Sequence, residues 1–224
     1  MSLWWMVTLV LLVSGLVFVA VAAAWSSQWG SQYRIRPALA RKVTGLRLWG
    51  RVLGNMALSG AAVFAMTFVA QAWLVDASKT FGLGDAAQIV GILLVYDLLY
   101  YFLHRYPFHQ WTRLKRVHTV HHVIRAPTAV ESLYLHPVEL LLGQLLLTLV
   151  VCAFGPVSVA TYGIVLVVHG TLNIIVHAGL DLPFFGFRAL SFLSRKHATH
   201  HISMRGGNYA SLTPLWDMLL GTAE

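Results

Sequence analysis

Five stretches of the chain are apolar for long enough to cross, or nearly cross, a bilayer as a helix: 3–25, 52–75, 87–103, 138–154 and 157–176. About twenty mostly apolar residues, each rising 1.5 Å, span the roughly 30 Å hydrocarbon layer. Gly155-Pro156 predicts a tight turn between the fourth and fifth stretches. The first stretch has the length of a signal peptide, with 22–24 as a cleavage site, but it lacks a basic leading region. It is therefore expected to stay as an anchor. No internal repeat, low-complexity tract or domain linker interrupts the pattern.

Composition excludes a water-soluble globule. Apolar residues make up 58% of the 224 positions and charged residues 11%, and the mean hydropathy is +0.69. A chain this apolar cannot hide its surface in one core, so the expected fold is an all-α integral membrane protein with four to five transmembrane helices.

The charges are distributed unevenly. Arg34, Arg36, Arg41, Lys42, Arg47 and Arg51 follow the first span without an acidic residue, whereas the next loop, with Asp76, Lys79 and Asp85, is nearly neutral. Basic residues return after the third span (Arg105, Arg113, Lys115, Arg116) and near the C-terminus (Arg188, Arg195, Lys196, Arg205). Lys and Arg mark cytoplasmic loops, which puts the N-terminus outside and the C-terminus inside. The net charge of +8 is then a property of the membrane face, with anionic lipid and no nucleic acid as its partner. Cys152 is the single cysteine, which excludes an intrachain disulfide and an iron–sulfur cluster ligated by this chain alone.

The histidines carry the chemistry. All eleven fall between His104 and His201. His104 and His109 come first, then His118-x-x-His121-His122, His177 and His197-x-x-His200-His201. Positions i, i+3 and i+4 share one helix face, so each H-x-x-H-H run is expected to point three imidazoles the same way. Residues five apart on an α-helix diverge by roughly 140°, so a break at Pro107 is expected to bring His104 and His109 together. Imidazole suits Fe, Cu, Zn and Ni. Nine converging nitrogens (His104, His109, His118, His121, His122, His177, His197, His200 and His201) are too many for one ion and fit two. They would form a histidine-rich helical cap on the cytoplasmic side.

Three further residues are candidates with alternatives. Asp97, two turns before His104, is expected either to orient a ligand imidazole or to bond a neighbouring tyrosine. His169, Asn173 and His177 form a polar stripe on the fifth span. His169 reads equally as a ligand or as a helix–helix hydrogen bond, and Asn173 is a candidate to support a ligand. His136, before Pro137, reads either as support for a ligand or as merely interfacial, with the latter favoured.

At these residues the chain resembles the fatty acid hydroxylase superfamily of sterol desaturases, sterol C4-methyl oxidases and related lipid hydroxylases. The resemblance rests on D-L-L-Y-Y-F-L-H-R-Y-P-F-H (97–109), V-H-T-V-H-H (117–122), H-A-G-L-D-L-P (177–183), H-A-T-H-H (197–201), G-N-Y-A-S (207–211) and W-D-M-L-L-G-T (216–222). The stretch H-H-V-I-R-A-P-T (121–128) with L-H-P-V-E (135–139) is most similar to the sterol-oxidase branch. The chain departs at Asn173, where fatty acid 2-hydroxylases carry another histidine.

The resemblance implies two iron ions, replaceable by zinc on purification, with O₂ as co-substrate and hydroxylation or desaturation of a sterol-like or fatty-acyl lipid. It also implies a separate electron donor (a ferredoxin, cytochrome b5 or reductase), for which Arg113–Arg116 and Arg188–Lys196 are candidate docking loops. On this reading one membrane domain comprises N-terminal spans and a basic loop (1–86) and a histidine-box di-metal oxidase core (87–224). The competing classes are a membrane metal transporter or metal-binding protein, and a haem protein with histidines paired deep in facing spans.

Overall fold

The computed structural model describes residues 2–36 and 43–224; Arg41 and Lys42 of the basic loop lie outside the described residues. Nine α-helices follow in order among the described residues: α1 (Leu3–Ser26), α2 (Gln28–Ser31), α3 (Gly45–Leu74), α4 (Leu83–Leu103), α5 (Thr112–His122), α6 (Pro137–Ala153), α7 (Val159–Val176), α8 (Arg188–His200) and α9 (Leu215–Leu219). There is no extended strand among them, only isolated bridges pairing Arg34 with Leu180 and Val75 with Val157.

Four helical segments are long and apolar enough to cross a membrane: Leu3–Ser26, Gly45–Leu74, Leu83–Phe108 and Val159–Val176. The fifth expected span, Pro137–Ala153, is apolar but shorter, at 17 residues. The protein is an all-α integral membrane protein. Its outward side chains say the same: Trp5, Leu12, Leu16 and Val19 stay 61–71% exposed along α1, a surface suited to lipid.

Local chemistry sets the helix ends. Ser2, Ser27 and Ser158 cap α1, α2 and α7, each hydroxyl accepting a backbone N–H three residues on. Pro137 opens α6 at a position where its missing N–H costs nothing, and His136 Nδ1 accepts from Val138 N there. α3 begins at Gly45, seven residues earlier than the apolar run, so Arg47 and Arg51 ride on the helix.

In lipid, close packing and polar contacts hold spans together. α1 lies against α7 at Gly163, where an added Cβ would stand 2.5 Å from Met6 Sδ. Met6, Val10, Leu74, Ile92, Tyr96, Leu147, Val151, Tyr162 and Val165 from five helices share one core. Thr67 and Tyr162 hydroxyls bond across α3 and α7 at 2.8 Å. A second cluster (Phe18, Leu48, Val52, Ile124, Tyr134) braces the end of α5 against α1 and α3. There Asn55 Nδ2 donates to the Leu133 and Leu135 carbonyls at 2.8 and 2.9 Å.

α4 does not break at Pro107 as expected. It runs on through one π-helical turn, His104–Phe108, in which Trp111 N donates to Tyr106 O five residues back. This wider winding swings residues five apart toward one side, and the His104 and His109 rings come within 4.9 Å.

The C-terminal stretch folds back over this end of the bundle. Asp97 accepts four hydrogen bonds from it: Ser211 N and Leu212 N on Oδ1 (2.8 and 2.7 Å), and Thr213 N and Oγ1 on Oδ2 (3.0 and 2.7 Å). Lys196 reaches Asp217 at 2.8 Å and the carbonyls of Ala210 and Thr213 at 2.7 and 2.9 Å. Both ends of that ion pair are buried. Lys196 is therefore no part of a docking surface, because its charge is consumed internally.

Candidate metal centre

Eight of the nine expected histidines are buried and His197 is half-buried, and they form two adjacent sets. His104, His109, His118, His122 and His200 make one, and His121, His177, His197 and His201 the other; within each set the available ring nitrogens lie within 4.8 Å of one another. The two H-x-x-H-H runs do not each aim at a single point. On α5 the i and i+4 members, His118 and His122, enter the first set, while His121 enters the second. On α8 the relation reverses: His197 and His201 enter the second set and His200 the first. Each run thus straddles both sets, which is why they abut; His122 and His201 stack at 4.7 Å.

Backbone carbonyls and one carboxylate orient the rings. His104 Nδ1 donates to Tyr209 O (2.7 Å), His109 Nδ1 to Met204 O (2.9 Å) and His200 Nδ1 to Gly207 O (2.7 Å). In the second set His177 Nδ1 donates to Asn173 O (2.7 Å) and His201 Nδ1 to Ile124 O (2.8 Å). His118 Nδ1 bonds Glu139 Oε1 at 2.9 Å. A carbonyl can only accept, so each Nδ1 that faces one carries a hydrogen, as does His118 Nδ1 against the ionised form of Glu139; a neutral ring then presents a bare lone pair at Nε2.

Those Nε2 atoms meet head to head. The contacts are His104–His118 at 2.9 Å, His122–His200 at 3.1 Å, His121–His177 at 3.1 Å, His177–His197 at 2.7 Å and His197–His201 at 3.0 Å. With both Nδ1 atoms protonated, the His104–His118 contact has no hydrogen to share. Two lone pairs at that distance repel unless a cation lies between them. Nitrogens set at right angles about 2.1 Å from one ion would stand about 3.0 Å apart, so the donors fit a metal pair. His109 Nε2, buried without a protein partner, adds to that fit.

Protonation is set to match. Burial, reinforced by the charge of neighbouring imidazoles, lowers His109 to about 4 and His121 to about 3; burial alone lowers His118 to about 3, and lowers His177 to about 4 against its backbone hydrogen bond. His122, His197, His200 and His201 shift the same way for the same first cause. At neutral pH these rings are uncharged, the form that binds a metal.

Asp97 touches no imidazole. It acts through the segment it anchors, because Tyr209, two residues before Ser211, supplies the carbonyl that fixes His104. Asn173 contributes its backbone carbonyl to His177, while its side chain accepts from Ser211 Oγ at 3.2 Å. His169 lies outside both sets and His136 is a helix cap.

Sequence reasoning missed Glu139 as a ring-orienting residue; its signal was an acidic side chain in the first turn of an apolar helix. It also missed Gly207, where a Cβ would stand 2.0 Å from Thr222 O, so that only glycine lets the backbone bring its carbonyl to His200. Asn208 beside it adopts a positive φ of 61°, a conformation Asn tolerates better than most residues.

A cavity of about 370 Å³ opens from the histidines into the bundle, walled by α1, α3, α4, α6 and α7. His104, His118, His121, His177 and His197 form its floor, and Leu11, Val63, Leu147 and Leu166 are among its walls.

Comparison with known proteins agrees with this constellation. The fatty acid hydroxylase family model matches residues 89–222, a stretch that contains all nine histidines. Methylsterol monooxygenase 1 of Rattus norvegicus is 34% identical over 143 residues, covering 61% of this chain and 46% of that protein. The methylsterol monooxygenase erg25A of Aspergillus fumigatus is 34% identical over 145 residues, with the same coverage. A very-long-chain aldehyde decarbonylase of Oryza sativa subsp. japonica is 32% identical over 142 residues, again covering 61% and 46%. The chain spans about half the length of the curated relatives it matches, and no solved structure matches it. With more than half its length under the family model, and the histidine runs, Asp97 and the closing G-N-Y-A-S segment inside the match, the chain belongs to the fatty acid hydroxylase family.

Proposed function

We propose that the protein is an O₂-dependent di-iron oxidoreductase that hydroxylates or desaturates a membrane lipid, sterol-like or fatty-acyl, with electrons from a separate carrier. The observation that carries this reading is the opening of two all-imidazole sets onto one apolar cavity. The relatives' names, a methylsterol monooxygenase and an aldehyde decarbonylase, support a hydrophobic substrate.

His104, His109, His118, His122 and His200 would hold one iron, and His121, His177, His197 and His201 the other. Irons so held would supply the O₂ activation needed to break an unactivated C–H bond. The chain's own residues do the rest. Tyr209, Met204, Gly207, Asn173 and Ile124 carbonyls, with the Glu139 carboxylate, lock the rings so that no reorientation is needed. Burial keeps the rings uncharged, with Nε2 bare. The apolar walls bind alkyl or ring carbon and exclude water.

The charge bias supports a cytoplasmic histidine end and an N-terminus outside. Arg113, Lys115 and Arg116 are exposed on the first turns of α5 and would steer an acidic carrier (a ferredoxin, cytochrome b5 or reductase) to that face. A transport reading is disfavoured by ligands gathered at or past the ends of the membrane spans, most of them on α5 and α8, instead of midway along broken spans.

The test is iron content and product mass with His118→Ala, His121→Ala, His200→Ala and His201→Ala. Wild-type cells should contain a lipid heavier by one oxygen or lighter by two hydrogens, absent with each variant, and the purified variants should lose iron. Full turnover in any of them, or metal flux through proteoliposomes without lipid oxidation, would overturn the proposal.

A further inference from the structure

Two polar side chains on the cavity do not serve the histidine sets. His169 lies eight residues before His177 on α7, about 12 Å deeper along the helix. Its Nε2 is buried and meets no hydrogen-bonding partner among the described residues. Its ring stands edge-on to Tyr96, with centroids 4.7 Å apart, so it is neither a metal ligand nor the helix–helix hydrogen bond that the sequence left open.

Gln144 lies on α6. Its Nε2 donates to Ser59 O and Oγ at 3.3 and 2.6 Å. Because the backbone carbonyl can only accept, this fixes which end of the amide is which. It leaves Gln144 Oε1 buried without a partner among the described residues. Both residues line the same cavity. Tyr96 connects their surroundings: it carries His169 against its ring, and its hydroxyl would be 4.0 Å from a Cβ on Gly143, the neighbour of Gln144.

Buried polar atoms without partners are rare, and inside a bilayer no bulk water relieves them. Two lining one ligand-sized cavity, Gln144 from α6 and His169 from α7, point to a polar group on the occupant. Gln144 Oε1 only accepts, so that group must donate. A hydroxyl donates one hydrogen and offers two lone pairs, and so pairs with Gln144 and with either tautomer of His169. A carboxylate or phosphate would meet Gln144 oxygen to oxygen, and among the described residues no Lys or Arg lines the cavity to receive it. An ether or a plain hydrocarbon has nothing to donate.

We propose that the cavity selects a neutral lipid alcohol, its hydroxyl held by Gln144 and His169 while its apolar body extends about 12 Å toward the histidine floor. The hydroxyl is then remote from the carbon to be oxidised. That last step rests on the lipid-oxidation reading above; the binding preference does not.

The test is competition for tritiated hexadecanol on purified protein in nanodiscs, using hexadecanol, hexadecyl methyl ether and hexadecanoate. One hydrogen bond corresponds to about a tenfold preference for the alcohol over the ether. Gln144→Leu and His169→Leu should each bring that ratio within about twofold, and His169→Gln should keep it. Unchanged metal content in every variant shows that the histidine end is intact. Should Gln144→Leu not fold, Gln144→Met keeps the chain length and still removes the acceptor. No preference in the wild type, or a preference that survives both leucine variants, would overturn the proposal. Absence of lipid oxidation with the alcohol preference intact would sink the oxidase reading and leave this one standing.

Discussion

Asp97→Asn separates the two histidine sets. Asp97 is fully buried and takes two donors on each oxygen from residues 211–213. Asparagine keeps one acceptor oxygen and turns an NH₂ group against the other two donors. Hydrogen bonds to charged groups contribute roughly 1.5–3 kcal/mol each, so losing two costs about 3–6 kcal/mol of docking energy. That frees the segment from α4, while Lys196 and Asp217 still hold its other side, and it falls at the low end of the roughly 5–15 kcal/mol that holds a whole fold.

The freed segment carries Gly207 and Tyr209, whose carbonyls fix His200 and His104. Both belong to the first set, whereas His177 and His201 are fixed by Asn173 and Ile124, which lie elsewhere. Loss of such outer partners typically weakens a metal site 10–100-fold. Metal titration followed by elemental analysis should therefore show two equivalents per chain in the wild type and about one tightly held equivalent in Asp97→Asn. Two equivalents at unchanged affinity, or equal weakening of both, would refute the reasoning.

Three other outcomes follow from the same geometry. Glu139→Gln should keep a bond to His118 Nδ1 but lose its charge, weakening the metal retained by the first set toward the 10-fold end of that range, read by competition with a chelator. Lys196→Met strands the buried Asp217 carboxylate and should destabilise the protein by about 3–5 kcal/mol; restoring much of that loss by adding Asp217→Asn, in denaturant melts, identifies charge as the cause. Stability of metal-free protein should be constant above pH about 6.5 and fall below it, because unfolded histidines take up protons there while His109, His118, His121 and His177 resist until about 3–4. Each such ring costs about 1.4 kcal/mol per pH unit in that window, and a flat melting profile from pH 7 to 5 would contradict it.

What the sequence determined by itself was the solvent and the metal chemistry. Apolar runs of bilayer length admit few folds other than a helical membrane bundle, since every backbone group must be satisfied within its own helix. Nine histidines at helical spacings announced a candidate metal site because few other chemistries use that many imidazoles. The tertiary structure decided what depends on side-chain direction and on contacts between distant segments. It split each H-x-x-H-H run between two sets, because i+3 and i+4 positions lie on opposite sides of a ring-sized gap. It chose a π turn over a break at Pro107, buried Lys196 that composition counts as a surface charge, and gave Asp97 to the 211–213 backbone. It also brought Glu139 to His118 across twenty-one residues, and set His169 and Gln144 on a cavity wall away from the ligands. Spacing along a chain fixes which residues share a helix face, but not what that face meets.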